Sequence, residues 1–217
     1  MSVIIPTPVR DYLVSLRRLP HPELEVVARE GLAQGIPIVD PQTGAMLHTM
    51  VRAAGARRVL EIGTAIGYSA LWIATALPAD GQLITLERDA ARAAAAREHF
   101  ARAGVAERVA VMVGDAARSL HKIAGPFDVI FQDGDKAQYE PMLDRLTELL
   151  RPAGVLVTDN ILWSGEVVPG FVDSPQKNPE DTKAIASYNQ RLASHAHLDT
   201  TFLSIGDGVG ISIKLDR

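Results

Sequence analysis

The stretch Gly154–Val168, GVLVTDNILWSGEVV, runs an apolar strand pattern into Asp159 and Asn160 and then into Trp163. An earlier stretch, FDVIFQDGDK, ends in the same way on Asp133, with Lys136 just beyond. Two carboxylates and an amide oxygen are hard donors. Brought together, they suit magnesium, calcium or manganese, with the remaining positions left to water and substrate, and do not suit a zinc site of His and Cys. Taken singly, Asp133 and Asp159 read better as helix caps, and the Asp-Asn pair could be punctuation of the chain. The distinction rests on whether the fold sets the two strand ends side by side.

A second group of residues points to a cofactor. VLEIGTAIGYSA follows a strand pattern and opens a helix; Gly63 and Gly67 suit a tight turn and close approach of a ligand to the backbone, and the helix start offers N–H groups. The Glu-x-Gly-x-x-x-Gly spacing lacks the middle glycine of the dinucleotide fingerprint, which argues against a pyrophosphate cradle. The next strand ends on Glu87, placed for the two hydroxyls of a ribose. Glu61 adds a second carboxylate, and Gly114–Ala116 closes a third strand where an adenine would be held. Two acids around a pocket disfavour a polyphosphate and favour a cationic ligand. S-adenosylmethionine, with its sulfonium and ammonium groups, fits. The bland alternative is a plain strand-to-helix turn flanked by solvated strand ends.

The elements that must position these groups follow from the rhythm of the chain. From Arg58 onward short β-type runs alternate with helical ones, which predicts βαβ units and a parallel sheet with helices on both faces. TTFLSI and VGISIKL, joined by a glycine-containing turn, predict a terminal antiparallel hairpin. The expected fold is α/β: a Rossmann-like, doubly wound, mostly parallel seven-stranded sheet closed by that hairpin, the arrangement of class I methyltransferases. Ligands then lie at the carboxyl ends of the strands, and adjacent fourth and fifth strands bring Asp133 to face Asp159 and Asn160. Ahead of the sheet, VRDYLVSLRRL, ELEVVAREGLA and GAMLHTMVRAAG have helical apolar spacing between Pro-rich breaks. Residues 1–55 are expected to form a helical cap, serving as a lid or dimer surface, on a core of residues 56–217 within one domain.

Composition bounds the function. With 217 residues and 47% hydrophobic content, the chain is long enough to bury a sizeable core. It has no cysteine, which excludes disulfides, thiolate metal sites and a cysteine nucleophile together. A formal net charge of −4 gives no general pull toward nucleic acid. The N-terminal stretch lacks a basic region followed by a long apolar core, and no apolar run is long enough to span a bilayer. A soluble cytoplasmic protein acting on a small molecule is expected.

VLEIGTAIGYSA, DGDKAQY and TDNILWSGEVV together resemble the cation-dependent, S-adenosylmethionine-dependent O-methyltransferases of the caffeoyl-CoA and catechol group, over most of the chain from about Val39. The resemblance implies Asp133, Asp159 and Asn160 as cation ligands, most often for magnesium. It implies Val39, Glu61, Gly63, Thr64, Ser69, Glu87, Ala116 and Asp133 around the cofactor, and Asp135 and Trp163 on the acceptor side. Lys136 is placed to assist deprotonation beside Asp133, which requires a depressed pKa. A homodimer is implied as well. Gln132, Gly134 and Thr158 depart from the commonest family pattern without removing a ligand. Competing readings are a transfer-RNA hydroxyuridine O-methyltransferase, a non-catalytic S-adenosylmethionine-binding protein and, least supported, a dinucleotide-dependent oxidoreductase.

Overall fold

The computed structural model describes residues 6–216; the first five residues of the expected cap, and Arg217, lie outside them. Seven runs rich in Val, Ile, Leu and Phe form one sheet: β1 (Arg58–Ile62), β2 (Gln82–Glu87), β3 (Val109–Val113), β4 (Phe127–Gln132), β5 (Leu150–Asp159), β6 (Leu198–Leu203) and β7 (Val209–Lys214). Their order is β3-β2-β1-β4-β5-β7-β6. The first five are parallel, and β7 runs antiparallel to both β5 and β6. The doubly wound sheet and its terminal hairpin are as expected from the alternation of patterns.

Helices cover both faces, so the central strands are buried on both sides. One face carries α2 (Glu23–Gln34), α3 (Pro41–Ala53), α4 (Tyr68–Ala76) and α5 (Ala90–Arg102), whose Val27, Leu47, Trp72 and Phe100 share a core with Val59, Val129 and Val157. The other carries α6 (Ala116–Leu120), α7 (Tyr139–Leu149) and α8 (Pro179–Ala193), with Leu120, Leu143, Tyr188 and Leu192 against Leu60, Ile130 and Leu156. Side-chain caps start several of these helices: Asp89 accepts from the N–H groups of Ala91 and Arg92, and Asp115 from that of Arg118. α2 is tied to α5 through the Glu23 carboxylate, 2.6 Å from Arg102 Nε and 2.7 Å from His99 Nδ1. The first helix, α1 (Thr7–Leu16), buries none of its residues and exposes Val9, Tyr12, Leu13 and Leu16. No helix among the described residues is long and apolar enough to cross a membrane.

Register fixes where the site must be. Ile62, Gln132 and Thr158 form one row across β1, β4 and β5. One residue further, Gly63, Asp133 and Asp159 stand together at the carboxyl rim. Gly63 has φ +99°, and a Cβ there would collide with the carbonyl oxygen of Asp133. The positive φ fits the tight turn expected of this glycine, and the neighbouring strand's backbone adds a second requirement for it. Gly67 likewise makes room for Phe100, whose ring carbons would lie 2.9 Å from its Cβ.

Candidate active site

The rim residues converge on one ammonium. Lys136 lies in the short 3-10 turn after β4, begun by Asp135, whose carboxylate accepts from the N–H of Ala137. From there Nζ donates to Asp133 Oδ1 at 2.9 Å, to Asn160 Oδ1 at 2.6 Å and to the Tyr139 hydroxyl at 2.7 Å. All three N–H groups are engaged, and only 12% of the side chain is exposed, unlike a solvated helix-start lysine. Asn160 takes a left-handed conformation, φ +63°, so the chain does turn here. Its side chain nevertheless faces the cluster. Asp159 is 3% exposed, and its Oδ1 has no hydrogen-bond partner. Burial, reinforced by the charge of Asp133, pushes the Asp159 carboxyl well above the usual carboxylate range. Among the described residues no three His, Cys, Asp or Glu side chains form a metal-type cluster; the oxygen set here is two carboxylates and an amide.

Behind the rim lies a buried polar relay. The Tyr139 hydroxyl is 3.3 Å from the carbonyl of Asp159 and 3.4 Å from that of Gln132. Gln132 donates from Nε2 to the Tyr139 carbonyl and accepts at Oε1 from the Tyr188 hydroxyl, 3.1 Å away. Tyr188 also meets the Thr158 hydroxyl at 2.7 Å. Burial raises the phenols of both tyrosines far above their ordinary values, keeping them neutral hydrogen-bonding groups.

The residues expected around a cofactor adjoin this rim in a cleft of about 1060 Å³. Val39, Gly63, Thr64, Ser69, Glu87, Ala116, Asp133, Asp135, Lys136, Asp159, Asn160 and Trp163 all line it. Glu61 is 0% exposed and lies beneath the lining. Burial raises its carboxyl to about 7, with the Ser69 and Thr85 hydroxyls pulling the other way. Glu87 accepts from the N–H of Ala65 at 2.7 Å and of Asp89 at 2.9 Å, so it shapes the glycine loop as well as facing the cleft. The N–H groups of Gly63 and Thr64 are bonded to the Leu86 carbonyl, and that of Gly67 to the Thr64 carbonyl. These bonds hold the loop ahead of the helix start, where the sequence places the free donors.

A family model described as O-methyltransferase matches residues 23–215. The chain belongs to this O-methyltransferase family. It is similar to the catechol O-methyltransferase of Niastella koreensis, 34% identical over 200 residues that cover 87% of this chain and 88% of the relative. It is also similar to the caffeoyl-CoA O-methyltransferase of Stellaria longipes, 29% identical, covering 78% and 73%. Among solved structures, the O-methyltransferase TomG of Streptomyces achromogenes, involved in tomaymycin synthesis and crystallised with S-adenosylmethionine, superposes with a TM-score of 0.85 at 30% identity, covering 96% of each chain.

Within this O-methyltransferase, two departures from the family pattern prove to be one feature. Gln132 and Thr158 are register partners on β4 and β5, and both bond to Tyr188. Asp135, expected on the acceptor side, pairs with Arg88, next to Glu87, and lines the same cleft as Trp163. Several residues lining the cleft or buried behind its rim have no role in the sequence reading. Tyr139 follows Lys136 by one helical step, a spacing that carries a signal. Asp207 lay within a motif read only as a hairpin turn; its Oδ1 accepts from the N–H of Ser164 at 2.6 Å, and burial raises its carboxyl. Arg10 of α1 enters the same wall and is bonded to Asp40 at 2.9 Å.

Proposed function

We propose that this O-methyltransferase transfers the methyl group of S-adenosylmethionine to a hydroxyl of a small catechol-like or phenylpropanoid acceptor, with a divalent cation held by Asp133, Asp159 and Asn160. One observation carries the reading: three oxygen-bearing side chains from two neighbouring strand ends meet beside the glycine loop and Glu87 in one cleft. The donor set fits a hard ion. Asp159 Oδ1 is buried without a partner, and Asp133 Oδ1 and Asn160 Oδ1 already face a positive charge on Lys136. When bound, such an ion supplies Lewis acidity that lowers the pKa of the reacting hydroxyl.

The chain's own residues do the rest. Glu87 and the loop after β1 hold the nucleoside end, and Glu61 in its ionised form balances the cofactor's positive end. Trp163 offers an aromatic wall to the acceptor. Lys136 first gives one proton from Nζ to solvent in the open cleft and then takes the acceptor hydroxyl's proton there, while the Tyr139 hydroxyl continues to accept from Nζ and helps hold it in place. The acceptor oxygen forms its bond to the methyl carbon as the carbon–sulfur bond breaks, and the electron pair stays on sulfur, leaving neutral S-adenosylhomocysteine. Positioning of oxygen against methyl accounts for much of the rate.

A transfer-RNA substrate is less favoured, because the net charge of −4 gives no general pull toward nucleic acid and two cations of the cleft, Arg10 and Arg88, are paired with Asp40 and Asp135. The exposed apolar residues of α1 support a homodimer built on that helix. Incubation with methyl-labelled S-adenosylmethionine, magnesium and a panel of catechols, a caffeoyl thioester and unmodified tRNA tests the assignment. Label in a diol is expected; label in RNA alone overturns it.

A further inference from the structure

We propose that Lys177 selects acceptors that carry a carboxylate in addition to the two hydroxyls. The inference rests on the methyl-transfer reading above and narrows its substrate to dihydroxyaromatic acids. Lys177 belongs to the polar segment VDSPQKNP between the Trp163 turn and α8, to which the sequence attaches no role.

The segment is folded back by one carboxylate. Glu166 accepts at Oε1 from the backbone N–H of Gln176 at 2.6 Å and of Lys177 at 3.0 Å, and at Oε2 from the Thr182 hydroxyl at 3.4 Å. Phe171 closes over Gly165, where a Cβ would meet its ring at 2.8 Å. The loop thereby sets Lys177 Nζ 4.6 Å from the centre of the Trp163 ring, along the wall of the cleft. Lys136 Nζ lies 5.7 Å from the same ring.

The two ammonium groups have different standing. Lys136 has its donors engaged by Asp133, Asn160 and Tyr139. Lys177, half-buried, forms no ion pair and no side-chain hydrogen bond among the described residues, whereas the cleft's Arg10 and Arg88 are paired. Asp207 feels the charge of Lys177, but its Oδ1 is committed to the N–H of Ser164. A partly desolvated ammonium on an aromatic wall, its N–H groups unused, takes a charge-assisted bond from an anion. An acceptor whose ring lies against Trp163, with its hydroxyls toward Lys136, has its far substituent available to Lys177. A carboxylate there is attracted, and an amine is repelled.

The test compares catechol, a dihydroxybenzoate, a dihydroxycinnamate and a catecholamine as acceptors for the wild type, Lys177→Met and Lys177→Arg, with magnesium present. The wild type is expected to favour the carboxylated diols through KM. In Lys177→Met the ratio of kcat/KM for carboxylated over neutral diol falls about tenfold, the worth of one charge-assisted bond, and Lys177→Arg retains it. An unchanged ratio in Lys177→Met, or a preference for the amine, overturns the proposal and leaves Lys177 as packing on Trp163. Calorimetric binding of the dihydroxybenzoate to the same variants with magnesium and S-adenosylhomocysteine is read in parallel. If no diol is methylated, the functional reading fails, while equal binding to wild type and Lys177→Met independently overturns the role of Lys177.

Discussion

Lys136 donates from Nζ to Asn160 Oδ1 across 2.6 Å, joining the turn after β4 to the residue that follows β5. This bond and its companion to Asp133 place the ammonium among the oxygens proposed to hold a cation. Lys136→Met is expected to lower kcat by about a hundredfold or more, the usual range for a lost acid-base group. S-adenosylmethionine affinity should be kept, because the cofactor loop is held by Glu87 and the Leu86 carbonyl. Steady-state kinetics with calorimetry separates the two, and a variant defective mainly in cofactor binding would contradict the placement.

Glu61 makes stability depend on pH. Its carboxyl titrates near 7 in the folded chain against an ordinary value of 4.5, because burial disfavours the charge. Below the lower value it is protonated in both states and its contribution is intact. As pH rises through the folded value the buried carboxylate must ionise, and that contribution, about 3 kcal/mol, is lost. Without cofactor, Glu61→Gln should therefore gain stability relative to wild type between about pH 5 and about pH 8 in urea unfolding. Parallel pH profiles for the two proteins would show that Glu61 is not the titrating group.

The Tyr188 hydroxyl joins Gln132 and Thr158 beneath the acidic rim. Tyr188→Phe leaves buried polar atoms on both strands short of a partner, at a cost of about 1–3 kcal/mol. A shifted unfolding midpoint is expected. A midpoint equal to wild type would mean that the relay contributes nothing to the fold.

How far the sequence reaches can be judged from these residues. The apolar runs that stop at Asp133 and Asp159 are visible locally, and the rule that ligands gather at the carboxyl ends of parallel strands brings them together before any coordinates exist. Gly63 is different: its need for a missing Cβ comes from the Asp133 carbonyl on another strand, a constraint no local pattern carries. Asp207 reaches Ser164, and Glu166 reaches Lys177, through contacts made only once loops have folded against the rim. Gln132 and Thr158 look like separate oddities until strand register sets them side by side.

The face of α1 makes a prediction about assembly. Tyr12 and Leu16 are 62% and 63% exposed on a helix with no fully buried residue among the described residues. A second copy covering this face would remove contiguous apolar surface from water. Sedimentation at micromolar concentration is expected to give a dimer, and Leu16→Glu with Tyr12→Glu a monomer. A wild-type protein of monomer mass sinks the proposal.

The central claim is that Asp133, Asp159 and Asn160 hold a cation required for methyl transfer. Turnover of a catechol acceptor should be measured in chelator, after magnesium is restored, and in Asp159→Ala, with S-adenosylmethionine affinity determined alongside. Activity is expected to vanish in chelator, return with magnesium and stay low in Asp159→Ala, while cofactor affinity changes little. Full turnover in chelator by protein shown to be free of metal would contradict the account.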